Sequence, residues 1–159
     1  MSSKNGIKQL FNPESIAVIG ASHNPRKVGS IILKNLKEGG FTGNLYPINP
    51  DTSPILELKT YSSINRVRGT VDLAIISTPA NTVPKILEDC GRSGVKAAVI
   101  ISSGFKEIGE KGEKLEEELR KTIECHEITV VGPNCLGVYD ADSGIDSIFL
   151  PSYRMGRPK

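Results

Sequence analysis

Ser15-Ile-Ala-Val-Ile-Gly-Ala-Ser-His-Asn-Pro-Arg-Lys-Val-Gly-Ser30 is the stretch that decides the fold. Ile16 to Ile19 form a short apolar run, β-branched except for Ala17, that stops at Gly20. Beyond the turn Val28, Ile31, Ile32 and Leu36 recur at i, i+3, i+4 and i+8, the period of a helix with one buried face. The order is therefore buried strand, loop of small and turn-forming residues, amphipathic helix. That order presents free backbone N–H groups at a helix N-terminus, where a phosphate can be held. Gly20, Ala21, Ser22 and Gly29 permit close approach, and Arg26 and Lys27 add positive charge beside the loop. A tight strand-to-helix turn with no ligand is the alternative reading of the same residues.

Downstream, the first helix is expected to run to about Lys37 and to stop at Gly39-Gly40. Asn44 to Ile48 reads as a second strand, weakened by Pro47. Residues Asp51 to Gly69 show no clean period, with a short strand near Lys59 to Tyr61 and a helical turn near Ile64 as candidates. From Asp72 the pattern clears into three further strands, Asp72–Ser77, Ala97–Ser102 and Ile128–Val131. Between them lie a helix carrying Val83, Ile86, Leu87 and Cys90, closed by Gly94, and a charged helix around Gly112 to Glu124. The charged helix keeps Leu115, Leu119 and Ile123 on one stripe, so its Glu and Lys residues read as a solvated outer face. Upstream, Met1 to Gln9 reads as a polar lead-in, and Leu10-Phe11-Asn12-Pro13 as two apolar residues and a turn against the first strand. After Asp140 the alternation is lost, and Arg154-Met-Gly-Arg-Pro-Lys159 is a basic, apolar-poor ending.

Strands that are apolar throughout and alternate with helices predict a doubly wound α/β domain, its mainly parallel sheet covered on both faces. The 159 residues suit one such domain, able to bury roughly 70% of its unfolded surface. A net charge of +2 offers no field for nucleic acid, and the longest apolar runs are too short to span a bilayer. The N-terminus has no signal-peptide core. Cys90, Cys125 and Cys135 are widely spaced and carry no zinc-ligand pattern, so no metal site is expected. Unpaired thiols fit a reducing, cytoplasmic setting.

Ligands bind such sheets at the carboxyl ends of the strands. There this chain gathers Gly20-Ala21-Ser22, Asn49-Pro50, Ser77-Thr78-Pro79, Ser102-Ser103-Gly104 and Pro133-Asn134-Cys135. Hydroxyls, amides and free N–H groups suit a phosphate-bearing ligand held without covalent chemistry, while helix capping explains any one of them singly. A dinucleotide fingerprint requires G-x-G-x-x-G and an acid ending the second strand. Here the glycine spacing departs from it and Asn49 stands at that end, which disfavours NAD.

Taken together, Ser15-Ile-Ala-Val-Ile-Gly-Ala-Ser22, Lys27-Val-Gly29, Tyr46-Pro-Ile-Asn-Pro50, Asp72-Leu-Ala-Ile-Ile-Ser-Thr-Pro-Ala80 and Gly132-Pro-Asn-Cys-Leu-Gly137 resemble the N-terminal CoA-binding domain of NDP-forming acyl-CoA synthetases. That family includes ADP-forming acetyl-CoA synthetase (acetate–CoA ligase) and is related to the succinyl-CoA synthetase alpha subunit. Some protein acetyltransferases open with the same domain. The resemblance spans about residues 10 to 158 and includes the segment from Gly144 to Pro151 and on to Gly156-Arg-Pro-Lys159. It implies one Rossmann-like CoA-binding domain with a core at about 10–140. Residues 141–159 are then a run-out toward further domains or a second subunit of a larger enzyme, and a homo-oligomer fits as well.

Carried over by residue, the resemblance puts the phosphate loop on Gly20, Ala21, Ser22, Lys27, Val28 and Gly29, with Arg26 beside it. Asn49 and Pro50 flank the adenine or ribose, and Ser77, Thr78 and Pro79 line the path of the nucleotide and pantetheine. Ser102, Ser103, Gly104 and Asn134 border the outlet for the thiol. The parent enzyme interconverts acyl-CoA, ADP and phosphate with free acid, CoA and ATP through a phosphohistidine in the following domain. ADP, ATP and Mg therefore belong to parts absent here, and no catalytic residue is expected in this chain. His23, in the phosphate loop, can donate a hydrogen bond to a phosphate. His126 is expected at the surface, and Cys135 as a small packed residue rather than a nucleophile. A stand-alone CoA-binding regulatory protein, an acetyltransferase parent and a nicotinamide-binding redox sensor are the competing readings.

Overall fold

The computed structural model describes residues 2–151; the basic ending from Arg154 and the Gly156–Lys159 part of the run-out lie outside them. Five strands, β1 (Ser15–Ile19), β2 (Asn44–Ile48), β3 (Leu73–Ile76), β4 (Ala97–Ile100) and β5 (Thr129–Val131), form one sheet in the order β2-β1-β3-β4-β5. Every pairing in it is parallel. The connections are α2 (Val28–Glu38), a long loop from 49 to 72, α3 (Val83–Arg92) and α4 (Glu110–His126).

Side chains alternate across the sheet and build two cores. Ile16, Val18, Leu73, Ile75, Ala97 and Val99 face Ile32, Leu33 and Leu36 of α2. Ala17, Ile19, Ala74, Ile76, Ala98 and Ile100 face Val83, Leu87 and Cys90 of α3 and Leu119 of α4. The sheet is thus doubly wound and covered on both faces, which is why its strands carry no polar alternation. On α4 the outward residues pair as Lys114 with Glu110 at 3.0 Å and Lys121 with Glu117 at 3.6 Å, both well exposed.

Pro47 is tolerated because β2 is the edge strand. Its carbonyl accepts from Tyr61 N at 3.0 Å on the outer side, so its missing N–H also points away from β1. Of the two candidate elements in the 51–69 stretch, the helical turn is present as a 3-10 turn at Ile64–Arg66, whereas the strand near Lys59 to Tyr61 is reduced to an isolated parallel bridge from Tyr61 to Ile48.

One expectation is corrected at the start of the chain. The polar lead-in is a helix, α1 (Ser2–Phe11), lying against β4 and β5 with Leu10 in the core of the α2 face. Gly6 makes this possible: a Cβ there would sit 2.0 Å from Thr129 Oγ1 and 2.9 Å from the Lys96 carbonyl. Past Asp140 the strand–helix alternation ends, and a short hairpin follows. β6 (Tyr139–Asp140) and β7 (Ile145–Asp146) form an antiparallel hairpin. Ile145 is fully buried in the α2-face core, and Asn35 Nδ2 donates to the Ile148 and Leu150 carbonyls at 2.9 and 3.0 Å.

His126 is likewise only 18% exposed. Its ring lies against Gly91 of α3, where a Cβ would come within 2.3 Å of Cγ, and Nε2 meets Glu88 Oε2 at 2.7 Å. This contact, followed by that from Arg92, holds the Glu88 carboxyl below its ordinary range. A depressed carboxylate contributes stability above its unfolded value, and the contribution is lost as pH falls through the lower folded value. Urea midpoints of wild type and Glu88→Gln should therefore differ at about pH 6 and converge at about pH 3. A gap that stays constant with pH would show that the ion pair contributes nothing to stability.

Candidate functional site

β1 and β3 are adjacent in the sheet, but the chain leaves them in opposite directions, toward β2 and toward β4. Their exit loops separate and open a crevice, as this strand order requires. A cleft of about 710 Å³ occupies it.

One wall is the loop that runs from Gly20 into α2. Gly20 has φ +98, and a Cβ on it would stand 2.8 Å from Ser77 Oγ. Gly29 is tighter still, since a Cβ there would lie 2.1 Å from the Gly20 carbonyl oxygen. Two glycines thus press the first turn of α2 against the end of β1. Ser30 Oγ donates to the Ser22 carbonyl, Asn24 N to Ser22 Oγ at 3.2 Å, and Arg26 N to Asn24 Oδ1 at 3.0 Å, so the loop is bonded into one shape. At the N-cap position Lys27 provides no side-chain cap, and the first turn of α2 contains no acid. Val28 and Gly29, whose N–H groups have no acceptor in the helix, line the cleft at the positive end of the helix dipole.

The other walls come from the remaining strand ends. Ser77 Oγ donates to the Ile19 carbonyl at 3.3 Å, and Ser102 Oγ to the Thr78 carbonyl at 2.6 Å. Asn134 N donates to the Ser102 carbonyl at 3.0 Å. Asn49 Nδ2 donates to the Ala21 carbonyl at 2.6 Å, while Asn49 Oδ1 accepts from Asp51 N at 2.8 Å. The five strand-end loops are therefore laced to one another before any ligand arrives.

Of the residues expected at the site, Gly20, Ala21, Ser22, Lys27, Val28, Gly29, Asn49, Ser77, Thr78, Pro79, Ser102, Ser103 and Asn134 line this cleft. Arg26 is exposed beyond its mouth. Gly104 turns away and gives its N–H to Glu107 Oε1 at 2.5 Å. Pro50 lines a second, mainly apolar pocket of about 380 Å³ with Ile48, Ile64 and Ile86, which shares Gly20, Thr78 and Pro79 with the main cleft. The sequence reading did not include Ile101, Leu136 and Phe149, an apolar end to the cleft. Ile101 could have been found as the last residue of an apolar strand run. Phe149 had no local signal, because the hairpin and the Asn35 tether bring it there.

His23 does not line the cleft; its Nε2 is 3.0 Å from Ser53 Oγ. Cys135 does line it, with Sγ donating weakly to the Ile100 carbonyl at 3.4 Å. Burial pushes its thiol up, away from the thiolate a nucleophile needs. Cys90, sealed in the core, is pushed up to about 12. Among the described residues no helix is long and apolar enough to cross a membrane.

A family model described as a CoA binding domain matches residues 14–141. The chain is 46% identical over 143 residues to acetate–CoA ligase [ADP-forming] II of Archaeoglobus fulgidus, covering 90% of this chain and 21% of that protein. It is 43% identical over 150 residues to the alpha subunit of acetate–CoA ligase [ADP-forming] I of Pyrococcus furiosus, covering 92% of this chain and 32% of that subunit. Among solved structures, dinucleotide-forming acetyl-coenzyme A synthetase 1 of Ca. Korarchaeum cryptofilum, in complex with phosphate and ADP, superposes with a TM-score of 0.88 at 46% identity. That match covers 92% of this chain and 31% of the solved one. The chain thus spans a fifth to a third of the length of these relatives.

The glycine contact carries a direct consequence. Gly29→Ala should destabilise the protein by about 1–3 kcal/mol, because neither backbone segment can yield without lifting α2 from the sheet. Urea denaturation measures it, and a variant of wild-type stability would show that the approach is not constrained.

Proposed function

The chain belongs to the CoA binding domain family, and from that premise we propose that the cleft at the β1/β3 switch point holds CoA. The observation that supports this most directly is the uncapped N-terminus of α2, pressed onto Gly20 and open to a cleft that continues in two directions. In this reading the pyrophosphate rests on the N–H groups of Val28 and Gly29, with Ser22 and the Lys27 ammonium beside it. The adenine enters the apolar pocket of Ile48, Pro50, Ile64 and Pro79. The pantetheine amides run past Ser77, Thr78, Ser102, Ser103 and Asn134, and the thiol emerges at the apolar end formed by Leu136 and Phe149.

The same residues argue against NAD. Recognition of a ribose diol needs a free carboxylate at the end of β2. Asn49 stands there with both amide atoms engaged, and the Asp51 carboxylate accepts from Ser53 Oγ at 2.6 Å and Ser53 N at 3.0 Å.

In the longer proteins it resembles, this domain is one part of an ADP-forming acyl-CoA ligase. We extend the reading accordingly: the 159 residues bind CoA for an acid–thiol ligase of acetate or a similar acid. ADP or ATP, Mg and the phosphoryl-transfer residues then act in further domains or a second subunit, and the domain alone binds without catalysis. A cytoplasmic setting and assembly into a homo-oligomer belong to the same proposal.

Calorimetric titration with CoA, dephospho-CoA and NAD in parallel tests it. CoA should bind and NAD should not. Lys27→Ala should weaken CoA about three- to tenfold, the effect of one partly exposed charge on a phosphate. Binding of NAD with CoA silent would overturn the reading.

A further inference from the structure

His23 joins the loop after β1 to the loop after β2. Its Nε2 is 3.0 Å from Ser53 Oγ and its Nδ1 is 3.8 Å from Asp51 Oδ2. Ser53 Oγ is also 2.6 Å from Asp51 Oδ1. A hydroxyl has one proton, and the shorter contact to the ionised carboxylate claims it. Ser53 Oγ is then an acceptor toward the ring, so Nε2 carries hydrogen, a tautomer assigned from this network. In a neutral ring Nδ1 would turn a bare lone pair toward Asp51 Oδ2. In the imidazolium it carries a second N–H, and that contact becomes attractive. The Ser53 contact is thus met by either charge state of the ring, whereas the Asp51 Oδ2 contact attracts only the imidazolium. Ser53 has no base free to activate it, so the cluster is not a hydrolytic triad.

The position of the cluster gives it an effect on the cleft. His23 adjoins Ser22, which lines the cleft, and the Asn49–Ala21 hydrogen bond ties the same two segments together. The charged group that meets the ring is Asp51 on the facing loop, and Arg26 and Lys27 follow His23 as exposed residues of its own loop. The hydroxyl and backbone N–H of Ser53, and to a lesser degree His23, hold the Asp51 carboxyl below its ordinary range, so it stays ionised throughout the histidine range. Beside a neutral His23 that charge repels a phosphate at the loop; beside an imidazolium it is cancelled.

We propose that His23 is a proton-linked binding residue: a diphosphate ligand enters this cleft with uptake of a proton at His23, and affinity falls as pH rises through the histidine range. This rests on the CoA reading above. His23 acts through its charge and its hold on the neighbouring loop rather than by touching the ligand.

Dephospho-CoA is the probe for the test. Its pyrophosphate does not titrate between about pH 5.5 and 8, whereas the 3′-phosphomonoester of CoA has a second ionisation near pH 6. Wild type should bind dephospho-CoA about three- to tenfold more weakly at about pH 8 than at about pH 5.5. His23→Gln, which can still donate to Ser53, should bind almost independently of pH. Asp51→Asn should bind more tightly than wild type at the higher pH. Equal slopes in wild type and His23→Gln overturn the proposal while leaving CoA binding intact. Failure of both dephospho-CoA and CoA to bind at either pH overturns the CoA reading, and the proposal with it.

Discussion

Everything at the site depends on the contact between Gly29 and the Gly20 carbonyl. A side chain at Gly29 would have to occupy space 2.1 Å from that oxygen, so only glycine lets the first turn of α2 rest on the end of β1. The contact sets the first turn of α2 against the crevice, which Val28 and Gly29 line. It also explains the burial of Gly29 and Ser30 beside an exposed Lys27: the backbone is fixed inside while the cation remains in solvent. The loop can offer both directed N–H groups and mobile positive charge because these two requirements fall on different residues.

Strand order does the rest of the positioning. With β1 between β2 and β3, loops from five strand ends meet around one opening, although the residues involved lie up to 129 positions apart, from Gly20 to Phe149. Their cross-bonds run mostly from side chain to backbone, as in Asn49 to Ala21 and Ser102 to Thr78. Such bonds order the loops without requiring a ligand and lower the entropy lost when one binds. The cleft is polar at the α2 end and apolar at Ile101, Leu136 and Phe149. This gradient suits a molecule with charge at one end and a thiol at the other.

The edge of the loop between β1 and α2 differs in character. His23, Asp51 and Ser53 are exposed, and their hydrogen bonds compete with water, whereas the glycine contact is buried. A rigid interior contact sets the geometry, and an exposed polar cluster joins the two loops at its edge.

The sequence alone determined the doubly wound α/β frame, because helix and strand periods are local and the apolar runs from Ile16, Leu73 and Ala97 are unbroken. It also determined the strand-end residues, since in a parallel sheet every carboxyl end lies on the same side. Only the tertiary structure decided the rest. α1 has a glycine inside it and a polar composition, and it forms because Gly6 fits against Thr129, a partner more than a hundred residues away. The β6–β7 hairpin is too short for periodicity to reveal and is held by Ile145 and Asn35. Phe149 reaches the cleft, His126 meets Glu88, and Gly104 turns away to Glu107 for the same reason. Each depends on a side chain from another element, or on the direction in which a loop turns, and neither leaves a repeating mark in the chain.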